Sequence, residues 1–433
     1  MSSSKFNRGD RARNGNEAPN TRSLSRRSFL QSSGAAAAAG LSASAWMAPA
    51  ALAGSSGQRD VLVHIFLRGG MDGLTTCVPY GDPELYIARP NLAVPPAGAI
   101  DGAINLDGFF GLAPALSGLM TPFANRDLAI VHAAGSTDPT RSHFDAMIAM
   151  ERGVPEQDYN NTISGWLARH LNANQGPGVT GLKALSMTDI MPTHLENALG
   201  ALPVPDPSAA RFPGSLQSAW LREQVIRSMY ADAPAPLGSA METSFESLAL
   251  LQGVGFDGYT PSGGAVYPQN PFGERLRQSA ALIKANTGVE TISIDYEGWD
   301  LHNLLGPIDG VMAAMLANLG NSLEALYLDL GTQIDSVTVV VMSEFGRRVA
   351  ENGSEGADHG HGNCMIVMGG HVNGGQVIGS WPGLAPGSLD FGDLAVTTDY
   401  RDVLWEILER RMGATDLGLI FPNHQSSSVG VIS

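Results

Sequence analysis

The chain has 433 residues, with 26 basic side chains against 42 acidic ones, 43% hydrophobic residues and two cysteines. That composition suits a globular enzyme-sized protein and excludes a disulfide-dense scaffold. The acidic surplus argues against sequence-independent binding to nucleic acid or to anionic membrane, since both require a basic surface.

In chain order, residues Met1 to Thr21 are polar and low in apolar content, which predicts disorder. Ser25-Arg26-Arg27-Ser28-Phe29-Leu30 follows, then an alanine-rich, weakly apolar stretch that ends in Ala51-Leu52-Ala53. Twin arginines before a weak hydrophobic segment read as a twin-arginine export signal over residues 1–53. The same stretch is too interrupted by Gly, Ser and Pro for a stable membrane span. Residues 54–433 are then a periplasmic or secreted chain, with the twin-arginine translocation machinery as its partner in export. The first 53 residues hold seven of the basic and two of the acidic side chains, so the exported part carries 19 against 40.

The exported part reads as a single α/β domain. Val61–Leu67 is a continuous apolar run, the pattern of a strand buried on both faces. It ends in Arg68-Gly-Gly-Met-Asp72-Gly73, where Asp72 is either a turn residue or a ligand, and its place after a core strand favours the ligand. Leu128–Ala133 is a second strand. The Thr137-Asp-Pro-Thr-Arg141-Ser142-His143-Phe144 turn after it leads into a helix through Glu151, with Thr140 or Ser142 as N-cap. A hydroxyl at a helix N-terminus is a cap and also a sensible nucleophile, because the helix end stabilises an anion there.

From 155 to 270 the chain is harder to read, and an insertion or lid is expected. Leu182–Met187 reads as a strand, Leu216–Tyr230 and Met241–Leu251 as helices, and Gly253–Asn270 as a loop over the substrate. Helical spacing returns at Pro271–Thr287, with Pro271 suited to the first helical position. Glu290–Tyr296 is a strand that ends in Asp300 and His302. After a long helix over Ile308–Gln333, the strands Val337–Met342 and Cys364–Met368 flank Asp358-His359-Gly-His361-Gly-Asn363. Carboxylates and imidazoles gathered after core strands, between glycines, suit a divalent metal. Asp399–Met412 closes the chain as an amphipathic helix. Cys77 and Cys364 are compatible with one disulfide or with two separate thiols.

With these residues in view, the chain resembles a twin-arginine-exported, sulfatase-like family of unknown function in the alkaline phosphatase and sulfatase superfamily. The carriers are Leu67–Gly73, Thr140–Ala146, Gly298–His302, Met342–Arg347 and Asp358–Gly362. The resemblance implies an alkaline-phosphatase-like, doubly wound, mainly parallel sheet with helices on both faces. It implies one or two divalent metals, zinc by preference with manganese or iron also fitting. Asp72, Asp358 and His359 would serve one site, and Asp300, His302 and His361 the other. Ser142 would be the nucleophile, with Thr137 and Thr140 as rivals and Arg141 on the anionic group; His143 and Asn363 would bind substrate. Threonine stands where sulfatases carry the Cys or Ser that matures to formylglycine, so the expected reaction is hydrolysis or transfer of a small anionic phosphate or related ester. The second reading is a non-catalytic exported binding protein that retains the fold.

Overall fold

The apolar runs become strands because a sheet covered on both faces buries every side chain, whichever way it points. The computed structural model describes residues 60–173, 181–211, 215–234 and 237–433, so the expected export signal lies outside the described residues. The strands are β1 (Val61–Arg68), β2 (Leu128–Gly135), β3 (Ala184–Ser186), β4 (Ala201–Pro203) and β5 (Thr291–Glu297), followed by β6 (Val337–Met342), β7 (Asn363–Gly369), β8 (Gln376–Ile378) and β9 (Thr398–Asp399). They form one nine-stranded sheet in the order β8, β2, β7, β6, β1, β5, β3, β4, with β9 also paired to β2. Every ladder is parallel except those of β7, which runs antiparallel to both β2 and β6. The expected mixed α/β fold with a mainly parallel sheet is therefore present.

The main helices are α1 (His143–Arg152), α2 (Ala219–Tyr230), α3 (Leu237–Val254), α4 (Pro271–Lys284), α5 (Val311–Leu330) and α6 (Tyr400–Arg410). Alternate residues of β1 feed two cores. Val63, Ile65 and Leu67 pack with Leu276 of α4 and Leu316 and Leu319 of α5. Leu62 and Phe66 pack with Val403, Leu404 and Ile407 of α6 on the opposite face. Each such fully buried side chain contributes roughly 1.5–3 kcal/mol.

Helix starts follow capping chemistry. Asn270 accepts the Phe272 and Gly273 amides at the head of α4, with Pro271 behind it in the first helical position. At α1 the cap is Ser142, which accepts the Asp145 amide, and Gly153 closes the helix in a left-handed conformation at φ 68°. The Gly253–Asn270 segment, expected as a lid, is fastened to the body. Buried Asp329 of α5 accepts from the hydroxyls of Tyr259 (2.8 Å) and Tyr267 (2.9 Å) and from the Ser262 amide (2.8 Å). Cys77 and Cys364 are free thiols, both buried. Among the described residues no helix is long and apolar enough to cross a membrane.

Candidate metal centre

Parallel strands deliver their following loops to one edge of a sheet, and ligands of open α/β sheets sit in the crevice there. The loops after β1, β5 and β6 meet at this edge. Because β7 runs the other way, the segment that precedes it, Asp358–Gly362, arrives at the same edge. Contact between these loops is close. A Cβ on Gly69, at φ 114°, would stand 2.6 Å from the Asp300 amide nitrogen, so only glycine fits there.

Arg347 ties the loops together. Its buried guanidinium donates to Gly70 O (2.6 Å), Ala357 O (3.0 Å), Trp299 O (3.1 Å), Gly69 O and the Asp300 carboxylate (2.7 Å). A guanidinium suits this task because its five donors point in fixed directions.

Asp300 Oδ1 is the hub of the site. The Nε2 atoms of His302, His143 and His359 lie 3.0, 3.3 and 3.3 Å from it. His302 Nε2 and His359 Nε2 are 3.0 Å apart. Each ring is held from behind through Nδ1 by an oxygen that can only accept. His143 donates to Glu344 Oε1 (2.6 Å), His302 to Asp358 Oδ1 (3.0 Å) and His359 to the Arg141 carbonyl (2.7 Å). A ring that donates from Nδ1 presents an Nε2 lone pair when neutral, and all three Nε2 atoms lie beside Asp300 Oδ1.

The donor set fits a metal ion. His143, Asp300 and His359 each offer one ligand atom, and these atoms lie within 4.8 Å of one another. Ligand bonds of 2.0–2.2 Å in a tetrahedral site put neighbouring ligand atoms about 3.4 Å apart, close to the spacings here. His143 Nε2 is also buried and without a hydrogen-bond partner among the described residues. A buried nitrogen aimed into a cluster of ligands is costly unless something completes it.

Electrostatics prepares the same set. Burial works against ionising Asp300 but is outweighed by Arg347, His143 and His302, which hold its pKa down at about 2. His359 is pushed below the ordinary imidazole value, first by burial and then by His143 and Arg347, with the Arg141 carbonyl opposing. His143 is raised, chiefly by its hydrogen bond to Glu344. The Asn352 and His302 hydrogen bonds lower Asp358.

Several expected ligands are placed elsewhere. Asp72 is fully buried against Arg89, which meets its two oxygens at 2.5 and 3.0 Å, while the Thr75 hydroxyl adds a bond at 2.6 Å. Both oxygens are thereby used, and Asp72 stands outside the cluster. His361 has both ring nitrogens engaged, with Asp390 at 2.7 Å and the Ser136 carbonyl at 2.8 Å. Asp358 Oδ1 faces Nδ1 of His302 at 3.0 Å and also accepts from Asn352. His143, expected on the substrate, stands with Asp300, His302 and His359 in the cluster. Asn363 is buried, donating to Met71 O and Phe345 O and accepting from the Cys364 amide, so it is a structural strut. The Arg141 guanidinium is bound to Asp393 and Pro139 O, and its carbonyl is what serves the site. Glu344, Arg347 and Arg89 were not expected from sequence. Glu344 and Arg347 stand in the Ser343–Arg347 segment, where a buried acid and base after a core strand are the available signal.

The family described as "Protein of unknown function (DUF1501)" matches residues 59–416. The chain belongs to this family. No curated protein matches the chain. Solved structures that resemble it do so distantly. Ps i-CgsB, in complex with k-i-k-neocarrahexaose, is 12% identical over 86% of this chain and 76% of its own, with a TM-score of 0.40. The C-terminal periplasmic domain of EcEptC from Escherichia coli is 11% identical over 86% and 89%, at 0.36. Alkaline phosphatase from the Antarctic bacterium TAB5 is 9% identical over 83% and 100%, at 0.34.

Proposed function

We propose that this DUF1501 protein is an exported, metal-dependent hydrolase or transferase acting on phosphate or related esters. The carrying observation is the convergence of three Nε2 atoms on Asp300, with each ring held from behind by an oxygen acceptor. His143, Asp300, His302 and His359 would hold one divalent cation, with zinc suiting mixed His and Asp ligands and manganese or iron also fitting. Such an ion polarises ester oxygens and offsets their charge.

The chain's own residues do the rest. Asp300 stays ionised at neutral pH, and His359 stays neutral with its lone pair available. In an otherwise acidic protein, this cluster with its cation is where an anionic ester is accommodated. Ser142 stands one residue before His143 at the head of a ten-residue helix, where the helix end stabilises a developing anion. Its oxygen accepts the Asp145 amide at 3.4 Å, and its own proton has no acceptor among the described residues. Ser142 is therefore the attacking hydroxyl in this reading, and water or a second alcohol then takes the group.

Two measurements test it. Elemental analysis of protein purified without chelator is expected to find about one metal per chain, and none in Asp300→Ala. A metal-free wild type that takes none up would sink the centre. Ester turnover is expected in wild type and not in Ser142→Asn, which keeps a good N-cap while removing the hydroxyl. Undiminished turnover in that variant would remove Ser142 from the role. Export rests on Arg26 and Arg27, and replacing both by Lys is expected to leave the protein in the cytoplasm; unchanged export would end that part of the reading.

A further inference from the structure

A cavity of about 1110 Å³ opens at the same edge of the sheet as the cluster, and none of the cluster's four side chains lines it. Its walls come from the ends of β1 and β5, the loop after β3, and the first turns of α4 and α5. Glu297 on its rim is three residues before Asp300 in the chain. Arg68, also on the wall, precedes Gly69, whose α-carbon packs on the Asp300 backbone. Arg68 also reaches Met147 of α1, the helix that starts at His143. Cavity and cluster are therefore neighbours along one edge, built from the same loops.

We infer that this cavity holds the part of the substrate that is not the anionic ester: a group rich in hydrogen-bond donors and without negative charge, such as a sugar ring or an amine. The first reason is charge. Glu151, Asp189, Asp295 and Glu297 face the space against only Arg68 and Arg275. Arg68 is consumed by Glu151 (2.9 Å) and Asp295 (2.6 Å), and Arg275, which donates to the Asp295 carbonyl (3.0 Å), is the one other cation, so four acids against two bases leave the lining net negative. Asp189 and Glu297 have no ion pair among the described residues and remain as surplus negative charge. A second anion would be repelled here, whereas hydroxyl and ammonium donors would find acceptors.

The second reason is the shape of the wall. Phe272 and Tyr296 are stacked at 4.4 Å with planes 17° apart, and Tyr296 lies beside a relay of amides. Asn270 donates to Asn318 Oδ1 (2.7 Å), and Asn318 donates to the Tyr296 hydroxyl (3.0 Å), which leaves that hydroxyl's proton for a guest. Apolar faces with a few fixed polar groups are how small-molecule sites orient their ligands. The inference deepens the ester reading, and it rests on that reading only in calling the guest a substrate.

The test measures binding, without turnover, on the full metal-loaded protein. Methyl glucoside, glucosamine and glucuronate present one ring with charge zero, plus one and minus one. Calorimetry or saturation-transfer NMR is expected to show glucoside or glucosamine binding at least about tenfold tighter than glucuronate. Preference for the glucoside would identify hydroxyl recognition, and preference for glucosamine would identify ammonium recognition. Ala314→Trp fills the cavity from α5 and is expected to weaken binding by about tenfold or more, with metal content unchanged. Asp189→Asn with Glu297→Gln is expected to erase the discrimination against glucuronate. The inference is overturned if glucuronate binds as well as the others, if Ala314→Trp binds like wild type, or if no ring binds at about 10 mM. Ester turnover without ring binding would remove the cavity and leave the centre. Ring binding without turnover would do the reverse.

Discussion

Glu344 touches no solvent and reaches the cluster only through His143, yet it decides what that histidine offers. Its Oε1 accepts from His143 Nδ1 at 2.6 Å and from the Gly69 amide at 2.8 Å, while Oε2 accepts from the neighbouring Ser343 hydroxyl at 2.9 Å. The carboxylate is therefore fixed in place, and so is the ring. Glu344→Gln retains the shape and removes the charge that makes the ring a strong donor of electrons to an ion. Outer partners of this kind are worth about 10–100-fold in metal affinity. Zinc competition against a fluorescent chelator is expected to show that loss, with far-UV circular dichroism unchanged. An unaltered affinity would mean that His143 is not a ligand.

Among structural elements, the loop after β1 depends on a buried ion pair. Asp72 and Arg89 are each about 1% exposed, and Arg89 also donates to Val349 O and Arg348 O, so it joins this loop to the one after β6. Removing one partner of such a pair leaves a charge without compensation and costs roughly 3–5 kcal/mol. Arg89→Met is expected to lose that much in urea unfolding at pH 7. The pH dependence has a definite sign. Burial would raise the Asp72 pKa, but Arg89 outweighs it and holds the group below its ordinary value. In wild type this stability is present above the unfolded carboxylate pKa and is lost as pH falls through the folded value. In Arg89→Met burial prevails, so part of the deficit is expected to return as the pH is lowered and Asp72 takes up a proton. A deficit independent of pH would point to lost packing and away from the buried charge.

The same scale governs the Gly253–Asn270 segment. Asp329 gathers Tyr259, Ser262, Tyr267 and Lys284 onto α5, and burial together with Asp329 pushes both tyrosine hydroxyls above their ordinary pKa. Asp329→Ala releases all four contacts at once. Limited proteolysis is then expected to cut within 253–270 at least about tenfold faster than in wild type, while the sheet and α5 remain intact. Equal cleavage rates would show that the segment is held by its apolar contacts instead.

At the scale of the whole molecule, the sheet was legible because its strands are buried on both faces, and Val61–Leu67, Leu128–Ala133 and Val337–Met342 therefore read as unbroken apolar runs. The gathering of Asp300, His302 and His359 was legible in part, because Asp300 and His302 follow a core strand and His359 lies in the polar segment between two others. What periodicity cannot reveal is which charge neutralises which. Asp72 and His361 look like ligands until Arg89 and Asp390 are placed against them, and those partners lie on other loops. His143 was visible, but its role depended on Glu344 some two hundred positions away. The assembled cluster makes a claim about the intact protein. Its side chains come from the loop after β5, the head of α1 and the approach to β7, so an ion bound by them would hold separate parts of the chain together. A ligand present at a hundred times its dissociation constant stabilises the native state by about 2.7 kcal/mol. Chelation with EDTA is expected to lower the melting temperature of wild type by a few degrees, and zinc is expected to restore it. His359→Ala should start near the chelated value and respond to neither. If wild type melts at the same temperature with and without chelator, the cluster holds no ion that matters to the fold, and the histidines must be explained by their hydrogen bonds alone.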